Sequence, residues 1–345
     1  MKVNIYDVAK ESGLSVVTVS RVLNNAPSVR ESNRSKVLKA VEELGYRPNA
    51  SARSLAKGRT GVIGLTLTTL HDAFLDAVVK EVADRLAEQG YFLALSVTPS
   101  YEASHRSLFR QDRVDGVILL SPVEEDAYVR ELKQNGIPFV MIDNQHRNPD
   151  VASVLVDNFQ GGYAATKHLI ELGHRDIAHI RGAEPFLSSS ERERGFETAM
   201  RDARLTPYRV EQGSFDIESG YEIASRWIET GKLPTAVFAA DDYMALGVID
   251  ACKNAGVKVP DELSVVGFDD QLLASQLRPQ LTTVRQPARE LGGIGTEIVL
   301  GLIDGSAQGR ETIVLQPELI VRASTAPPDG AGPRTGTDDR GGIDG

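Results

Sequence analysis

The sequence predicts a small all-α domain with a helix-turn-helix plan, followed by a larger α/β core of two doubly wound parallel sheets. Three observations lead to this fold class. Short helical patterns with capping residues fill roughly the first 45 positions, a linker follows, and short apolar strands then alternate with amphipathic helices to about position 325. Alternating strands and helices are typical of parallel sheets covered by helices on both faces.

Composition excludes several classes of protein before any motif is considered. The 345 residues suffice for two or three domains, and no apolar run approaches the ~18 residues of a membrane span. MKVNIYDVAKESG lacks the apolar segment of a signal peptide, so we expect a cytoplasmic protein without membrane contact. The single cysteine, Cys252, excludes an internal disulfide and a cysteine-based metal cluster, and the six histidines show no metal-ligand spacing.

Charge is distributed unevenly along the chain. The net charge is −10, but residues 1–60 carry 11 Lys or Arg and 5 Asp or Glu, a net of +6, which leaves −16 for the rest. A basic module attached to an acidic body is the electrostatic signature of local nucleic-acid contact.

Capping residues predict three helices in the first domain. Asn4 and Ser15 stand where N-caps belong, and Gly13 ends the first helix, in which Val8 and Ala9 face inward. The third helix is predicted to open at a capping box and to follow the helical period. Its signals are the box Ser28-Val-Arg-Glu31, the apolar positions Val37, Leu38, Val41 and Leu44, and the stop Gly45-Tyr-Arg-Pro48.

SVVTVSRVLN, residues 15–24, is built from poor helix formers yet lies where the second helix is predicted. On a helical wheel, Val19, Val22 and Leu23 face inward, where packing overrides helix propensity. The opposite arc, with Val16 at its edge, consists of Val17, Ser20, Arg21 and Asn24.

This outward arc has the chemistry of a DNA-contacting surface. In a major groove, valine can meet a thymine methyl group and Arg21 can pair with guanine O6 and N7. Ser15, Thr18 and Asn24 can hold the helix on phosphates. The alternative is an ordinary helical hairpin whose outer face is only solvated.

PNASARSLAKGRTG, from Pro48 to Gly61, is predicted to be a linker. Asn49 can cap a helix of Ala50–Lys57, but a helix of that length is unstable alone in water. We therefore expect it to be disordered until a partner holds it.

Alternating strands and helices begin at Val62 and form two successive series, which predicts two lobes with a ligand between them at the carboxyl ends of the strands. The predicted strands are VIGLTLT, YFLALSV, DGVILLS, PFVMID, IAHIRG, AVFAAD and LSVVGFD. Helices are predicted near Phe74–Glu88, Gln160–Leu172, Glu191–Ala203, Ile217–Glu229 and Asp242–Ala255. The last elements, Pro287–Asp304 and Thr312–Thr325, are expected to cross back between the lobes.

The chain resembles the lac-repressor (LacI–GalR) family of transcription regulators over residues 4 to about 325. The resemblance is carried, in order, by IYDVAKESGLSVVTVSRVLN, VLKAVEELGYRPNASARSLAKGRTGVIG, HLIELGHRDIAHI, RERGF, DDYMALG, VPDELSVVGFDD and LTTVRQP. It implies a DNA-binding domain at 1–47, a hinge helix or linker at 48–60, and a two-lobed periplasmic-binding-protein-like core at 61–326. The implied lobes are an N-lobe of about 61–157 and 287–317 and a C-lobe of about 158–286 and 318–326. The Gly-, Pro- and Asp-rich tail, 327–345, is expected to be disordered.

For the DNA-binding part, the resemblance implies base contacts by Val16, Val17 and Arg21, and a hinge helix that inserts Leu55 into the minor groove. Leu55 as a simple core anchor for the linker is the alternative. Further DNA contacts are implied for Asn4, Tyr6, Ser15, Thr18, Asn24, Tyr46, Asn49 and Ala52. Because Val16 and Val17 are apolar where relatives often carry polar residues, the operator sequence cannot be carried over.

Six residues at or after strand ends match positions that commonly line the family's effector cleft. They are Thr68, Phe74, Arg192, Phe215, Asp241 and Asp269. Carboxylates and a guanidinium can hold several hydroxyls, and an aromatic face can stack on a sugar ring or a base. We therefore expect a neutral polyhydroxylated effector, a sugar in the first place, and no cofactor.

Simpler roles remain open for several of these residues. Arg192 and Asp269 can pair only with each other, Phe215 can belong to the core, and Asp241 departs from the Asn that many sugar-binding relatives carry. Outside the cleft set, we interpret Asp242 and Asp270 as cap or turn residues. His174 is interpreted as a turn residue.

The resemblance implies a homodimeric repressor on a roughly palindromic operator, with hinge helices whose spacing responds to the effector. A nucleobase or a protein corepressor are alternatives to a sugar. An enzyme is not expected, since VIGLTLTTLHD lacks GxGxxG and the chain shows no GxSxG, Walker loop or HExxH. A periplasmic solute-binding protein would need an export signal and would not carry residues 1–60.

Overall fold

The structure is a computed structural model that describes residues 3–24, 26–46, 59–70, 72–98, 113–144, 148 and 150–328. It divides into two compact units, Met1–Gly61 and Val62–Gly345, which are considered separately below. The predicted hinge helix and nearly all of the predicted disordered tail lie outside the described residues.

The described residues of the first unit form three helices around a small apolar core. The helices are α1 (Ile5–Ser12), α2 (Val16–Leu23) and α3 (Glu31–Leu44). Asn4 and Asp7 form a reciprocal capping box on α1, and Gly13 ends it with a φ of 65°. Val8, Val19 and Val37 are completely buried in one cluster, so the inward valines of α2 have the predicted role.

Two local predictions for α3 are wrong. Ser28 does not cap the helix, because α3 begins at Glu31 after Arg30, whose side chain makes no capping hydrogen bond. Leu38 is 52% exposed, since Val37 and Ala40 take the inward positions. The apolar period of the sequence therefore includes Leu38, which lies next to the buried face of α3 and is not part of it.

The second unit alternates strands and helices as predicted. In chain order its elements are β1 (Val62–Leu67), α4 (Ala73–Glu88), β2 (Phe92–Val97), β3 (Gly116–Leu120), α5 (Glu125–Gln134), β4 (Phe139–Ile142), β5 (Ser153–Val156), α6 (Asn158–Leu172), β6 (Ile177–Arg181), α7 (Leu187–Asp202), β7 (Arg209–Gln212), α8 (Ile217–Glu229), β8 (Ala236–Ala239), α9 (Asp242–Ala255), β9 (Ser264–Val266), α10 (Leu272–Gln276), β10 (Thr283–Arg285), α11 (Ala288–Asp304), β11 (Thr312–Leu315) and β12 (Glu318–Ile320). The elements α5, β5, β7, α10 and β10 were not singled out from the sequence.

Two parallel sheets form the cores of the two lobes. The first has the strand order β11-β5-β4-β3-β1-β2, and the second has the order β7-β6-β8-β9. Both orders place consecutive βαβ units side by side, as doubly wound sheets do. The carboxyl ends of the strands in each sheet point to one edge, where a ligand can bind.

The chain crosses between the lobes near its end, as predicted. The helix α11 packs Leu291 and Val299 into the core of the first lobe, and β11 then joins the edge of its sheet beside β5. β12 pairs antiparallel with β10, which runs along the second lobe.

Helix pairs of the second lobe approach closely through glycines. A Cβ atom at Gly162 of α6 would lie 2.3 Å from the carbonyl oxygen of Arg192, and one at Gly220 of α8 would lie 2.2 Å from that of Met244. Such distances leave no room for any side chain, so these glycines set the spacing of α6 on α7 and of α8 on α9. No helix in the described ranges is long and apolar enough to cross a membrane.

Candidate functional site

The outward face of α2 carries the residues predicted to contact DNA. Val17 is 62% exposed, and Arg21 and Asn24 are exposed beside it. Val16 is half-buried against the core of the first unit, so it lies at the edge of this face as the wheel predicted. The helix α2 and its C-cap Asn24 thus present an apolar group, a guanidinium and an amide to solvent.

The helix start is organised by hydroxyl groups. The Oγ atom of Ser15 accepts a hydrogen bond from the backbone N–H of Thr18 at 3.2 Å and lies 2.9 Å from the Thr18 Oγ1 atom. Asn4 caps α1 in the same manner, accepting from the Tyr6 N–H at 2.8 Å, while the Tyr6 ring is 70% exposed. These caps satisfy two of the free backbone N–H groups at the start of α1 and one at the start of α2.

Tyr46 is the one described residue of the predicted DNA contacts whose ring is buried, and its contact with DNA stays a prediction. It is only 9% exposed and packs with the valines of the first unit, so the structure assigns its ring to the core. Asn49, Ala52 and Leu55 lie outside the described residues, and their predicted contacts stay predictions.

A cavity of about 580 Å³ lies between the two lobes of the second unit. All six residues predicted for the cleft line it: Thr68, Phe74, Arg192, Phe215, Asp241 and Asp269. They meet because the strand ends of both sheets open onto the same space, with Thr68 directly after β1 and Asp241 two residues after β8. The proximity predicted from the strand ends is therefore present in the structure.

Arg192 is the central cation of the cavity. It is 4% exposed, and its guanidinium lies 3.7 Å from the centroid of the Phe268 ring. Its Nε donates to the Asn158 side chain at 2.8 Å and its Nη1 to the Ala240 carbonyl at 2.6 Å, with the Asp269 carboxylate 3.6 Å from Nη1. Arg192 and Asp269 do pair, but both also line the cavity, so pairing does not withdraw them from a ligand.

The two predicted carboxyl groups are held by neighbouring donors. Asp241 caps α9, where its Oδ1 accepts from the Met244 N–H at 2.7 Å. Asp269 accepts from the Gln286 amide at 2.6 Å. Burial raises the pKa of Asp269 to about 7 despite the nearby Arg192 guanidinium, and burial together with Asp269 raises the pKa of Asp241 well above its ordinary value.

Phe215 lies over the backbone of Gly182. A Cβ atom at Gly182 would lie 1.9 Å from the Phe215 ring, so only glycine lets the ring take this place. Phe215 itself has a φ of 61°, and its ring meets the ring of Phe186 edge-on at 5.8 Å between centroids. Phe215 is half-buried against the core yet lines the cavity, so it combines both roles considered for it.

Backbone strain is concentrated around this cavity. Among the described non-glycine residues, six have positive φ values, and four of these, Ser121, Asp143, Phe215 and Asp269, line the cavity. Such conformations cost free energy and persist where the surrounding structure holds them, which is common at binding sites.

The sequence analysis missed several lining residues. Asp143 follows β4 directly and accepts from the Ser121 hydroxyl at 2.8 Å, and Asp72 caps α4 by accepting from the Phe74 N–H at 2.8 Å. Both carboxyl groups have pKa values raised by burial, that of Asp143 to about 6. Asp143 ends PFVMID, so the strand-end rule that found Asp241 and Asp269 would have found it as well. Gln286 gave no comparable signal.

Two further carboxyl groups have structural roles. Asp242 is fully buried and accepts from the Thr283 hydroxyl and the Gln271 N–H, which ties α9 to the neighbouring loops. Asp270 pairs with Arg285 and Arg322. The interpretation of both residues as structural therefore agrees with their contacts.

His174 is more than a turn residue. It follows the left-handed Gly173, but its ring is 1% exposed and lies 3.0 Å from the Thr235 hydroxyl and 2.9 Å from the Ala326 carbonyl oxygen. The ring therefore holds Ala326 against the second lobe.

Comparisons with known proteins match both units. The model of bacterial regulatory proteins of the lacI family matches residues 4–49, and a periplasmic binding protein-like domain matches residues 166–325. The chain is 36% identical to the HTH-type transcriptional regulator DegA of Bacillus subtilis over 95% of its length and 99% of that protein. It is 35% identical to the HTH-type transcriptional repressor PurR of Photobacterium profundum over 93% of its length and 98% of that protein.

Solved structures give the same result. A lac repressor dimer bound to operator and the anti-inducer ONPF matches with a TM-score of 0.86 and 29% identity, over 94% of this chain and 100% of that one. A complex of the transcriptional regulator CelR with cellobiose matches with a TM-score of 0.71 and 31% identity over the same shares. The chain therefore belongs to the lacI family of bacterial regulatory proteins, and it is a DNA-binding transcriptional regulator rather than an enzyme.

Proposed function

We propose that this regulator is a homodimeric repressor whose affinity for a roughly palindromic operator is set by a small polyhydroxylated ligand, a sugar in the first place, bound in the cavity between the lobes. The observation that carries the proposal is the convergence of Arg192, Asp241, Asp269 and Phe215 on one cavity of about 580 Å³. Carboxylates and a guanidinium can accept from and donate to several hydroxyls at once, and the aromatic face can cover a sugar ring.

The DNA-binding part of the proposal uses the exposed face of α2. In this proposal, Val17 and Arg21 contact bases in the major groove, Val16 lies at the edge of the contact, and Asn24 binds a phosphate. Leu55 of the hinge segment is proposed to enter the minor groove at the operator centre, where an apolar wedge kinks DNA. One headpiece, residues 1–47, then occupies each half-site.

Coupling between the two sites is proposed to run through the hinge segment, residues 48–60. A ligand that changes the angle between the lobes changes the spacing of the two hinge segments of a dimer, and with it the affinity for the operator. Coupling of this kind is typically worth ~1–3 kcal/mol. Induction is the sign we propose, because the cleft offers the chemistry of a sugar site.

Support for a sugar comes from the lining residues and from the solved CelR complex, which holds cellobiose. A nucleobase can also stack on Phe215, and it is the competing ligand class. A protein corepressor is the third possibility, and each of the three gives a different outcome in one screen.

The test is a thermal-shift screen of the full-length protein against sugars, sugar phosphates, polyols, nucleosides and nucleobases. A ligand that binds the folded state, at a concentration of about a hundred times its Kd, raises the free energy of unfolding by ~2.7 kcal/mol. Each kcal/mol raises Tm by roughly 2–4 °C for domains of this size. A hit among sugars supports the proposal, a nucleobase hit replaces the ligand class, and no hit in any class contradicts a small-molecule effector of these kinds.

A further inference from the structure

The cavity between the lobes holds more acceptors than a neutral sugar needs. Six carboxyl groups line it: Asp72 and Asp143 from the first lobe, and Asp216, Glu218, Asp241 and Asp269 from the second. Among the described residues that line the cavity, Arg192 is the one with a positively charged side chain. Two of its N–H groups already donate hydrogen bonds to the Asn158 side chain and the Ala240 carbonyl. A neutral sugar offers hydroxyls only, so it brings no positive charge to this many carboxyl groups.

Gln286 adds a buried acceptor that lacks a donor. It is 6% exposed and lines the cavity, and its Nε2 donates to Asp269 at 2.6 Å. Its Oε1 is buried and has no hydrogen-bond partner among the described residues. Buried polar atoms in native structures are nearly always satisfied, so this oxygen points to a donor that a ligand brings.

Aromatic rings complete the surroundings of a cation. Phe74, Phe186, Phe215 and Tyr243 line the same cavity, and the Phe186 and Phe215 rings meet edge-on. Aromatic faces attract ammonium groups, and carboxylates beside them add a charge-assisted hydrogen bond.

A metal ion is a poor alternative for this excess of carboxylates. No group of three or more His, Cys, Asp or Glu residues within the described ranges could hold a metal ion. The six carboxyl groups instead come from both lobes, so they surround an extended ligand rather than converge on one point.

We propose that the effector is a polyhydroxylated molecule that carries a protonated amine, such as an amino sugar or an imino sugar. The ammonium group lies beside Asp241, and the hydroxyls form hydrogen bonds with Arg192, Asp269 and Gln286. This inference rests on the proposed function of the cleft and specifies its ligand class.

The empty and loaded cavities then differ in protonation. Burial raises the pKa of Asp143 to about 6 and that of Asp269 to about 7, so the empty cavity retains protons near neutrality. An ammonium group brings the positive charge that lets these carboxyl groups ionise. Binding of the amine therefore releases protons, which binding of a neutral sugar does not require.

Matched pairs of ligands test the proposal by isothermal titration calorimetry on the full-length protein. The pairs are glucosamine with glucose, galactosamine with galactose, and deoxynojirimycin with its carbocyclic, uncharged analogue. At about pH 6.5, where an aliphatic amine is protonated, at least one amine is expected to bind about tenfold or more tightly than its neutral partner. N-acetylglucosamine controls for the bulk at the nitrogen without its charge.

The variant Asp241→Asn keeps the cap on α9 and removes an ionisable carboxyl group. The ratio of the Kd of the neutral ligand to that of the amine should therefore fall severalfold. Asp250→Asn makes the same change at an exposed position of the same helix and should leave the preference unchanged. Equal or tighter binding of the neutral members in the unaltered protein, or no binding of any amine, would overturn the proposal even if the variant does not fold.

Failure of this inference can be told apart from failure of the proposed function. If a neutral sugar or a nucleobase binds and changes the affinity for the operator, the effector cleft stands and only the amine is refuted. If no compound binds and the affinity for the operator responds to none, both are refuted.

Discussion

Val17 and Val19 lie on opposite faces of the eight-residue helix α2, and replacing each with alanine separates DNA recognition from folding. Val19 is completely buried in the core of the first unit, whereas Val17 is 62% exposed. The two substitutions are chemically identical and stand two residues apart. Any difference in their effects therefore comes from the face on which each side chain lies.

The magnitudes follow from burial. Exchanging valine for alanine removes two methyl groups, worth ~0.8 kcal/mol each when fully buried, and gains up to ~0.7 kcal/mol of helix propensity. With the cavity left behind, Val19→Ala should lower the free energy of unfolding of the headpiece by about 1–2 kcal/mol. At Val17 the smaller buried share and the gain in propensity nearly cancel. If Val17 meets a base methyl group, its loss should cost about 1 kcal/mol, or roughly fivefold in affinity, at each half-site.

Two measurements on the full-length protein separate these effects. Amide hydrogen exchange of peptides from residues 5–44 reports the opening free energy of the headpiece. Fluorescence anisotropy gives the Kd for a duplex selected from random DNA by the unaltered protein. The account is refuted if Val17→Ala leaves the Kd unchanged, or if it accelerates exchange as much as Val19→Ala does.

Four further predictions concern the second unit and the hinge. Arg192→Ala should abolish the ligand response while operator binding without ligand survives, because a buried guanidinium that holds Asp269 is lost from the cavity alone. Gly162→Ala should lower the free energy of unfolding of the second unit by about 1–3 kcal/mol in urea titrations, since its Cβ would lie 2.3 Å from a carbonyl oxygen of α7. Asp269 should contribute stability to the ligand-free protein that is lost as pH rises from about 4 to about 7, because burial raises its folded-state pKa to about 7 and the folded protein holds a proton that the unfolded chain releases; Asp269→Asn should remove this contribution to the slope of stability against pH. Leu55→Ala should weaken operator binding and leave ligand affinity intact, as measured by anisotropy and calorimetry.

Matched control variants separate the effect of each named side chain from the effect of any substitution nearby. Arg194→Ala, on the same helix but largely exposed, should preserve the ligand response. Asp250→Asn removes an exposed carboxyl group and controls for the loss of one charge in the pH series. A ligand response that survives Arg192→Ala, a slope unchanged in Asp269→Asn, an unaffected stability in Gly162→Ala or an unchanged operator Kd in Leu55→Ala would each contradict its prediction.

Strand ends were the most informative signal in the sequence. Parallel strands bring their carboxyl ends to one edge, so residues far apart in the chain, such as Thr68 and Asp269, could be placed together without a structure. The same rule, applied to PFVMID, leads to Asp143. Asp72 was harder to find, because it follows β1 by five residues and its place depends on the course of that loop.

Side-chain detail depends on packing that sequence patterns do not contain. Gln286 lines the cavity because the segment of β10 runs beside the end of β9. The local sequence around Gln286 does not predict this pairing. Leu38 and Ser28 fit a helical period and a capping box, yet Ala40 takes the inward position and the helix begins three residues later. Periodicity predicts that a helix exists better than it predicts where the helix begins or which residue it buries.

The measurement that tests the central claim most directly is a titration of operator DNA with the full-length protein, with and without a saturating cavity ligand. The account predicts that the ligand changes the Kd for the operator by about 5- to 150-fold, and that Arg192→Ala removes this change. A ligand that saturates the cavity by calorimetry but leaves the operator Kd unchanged would contradict the claim that this cavity controls DNA binding.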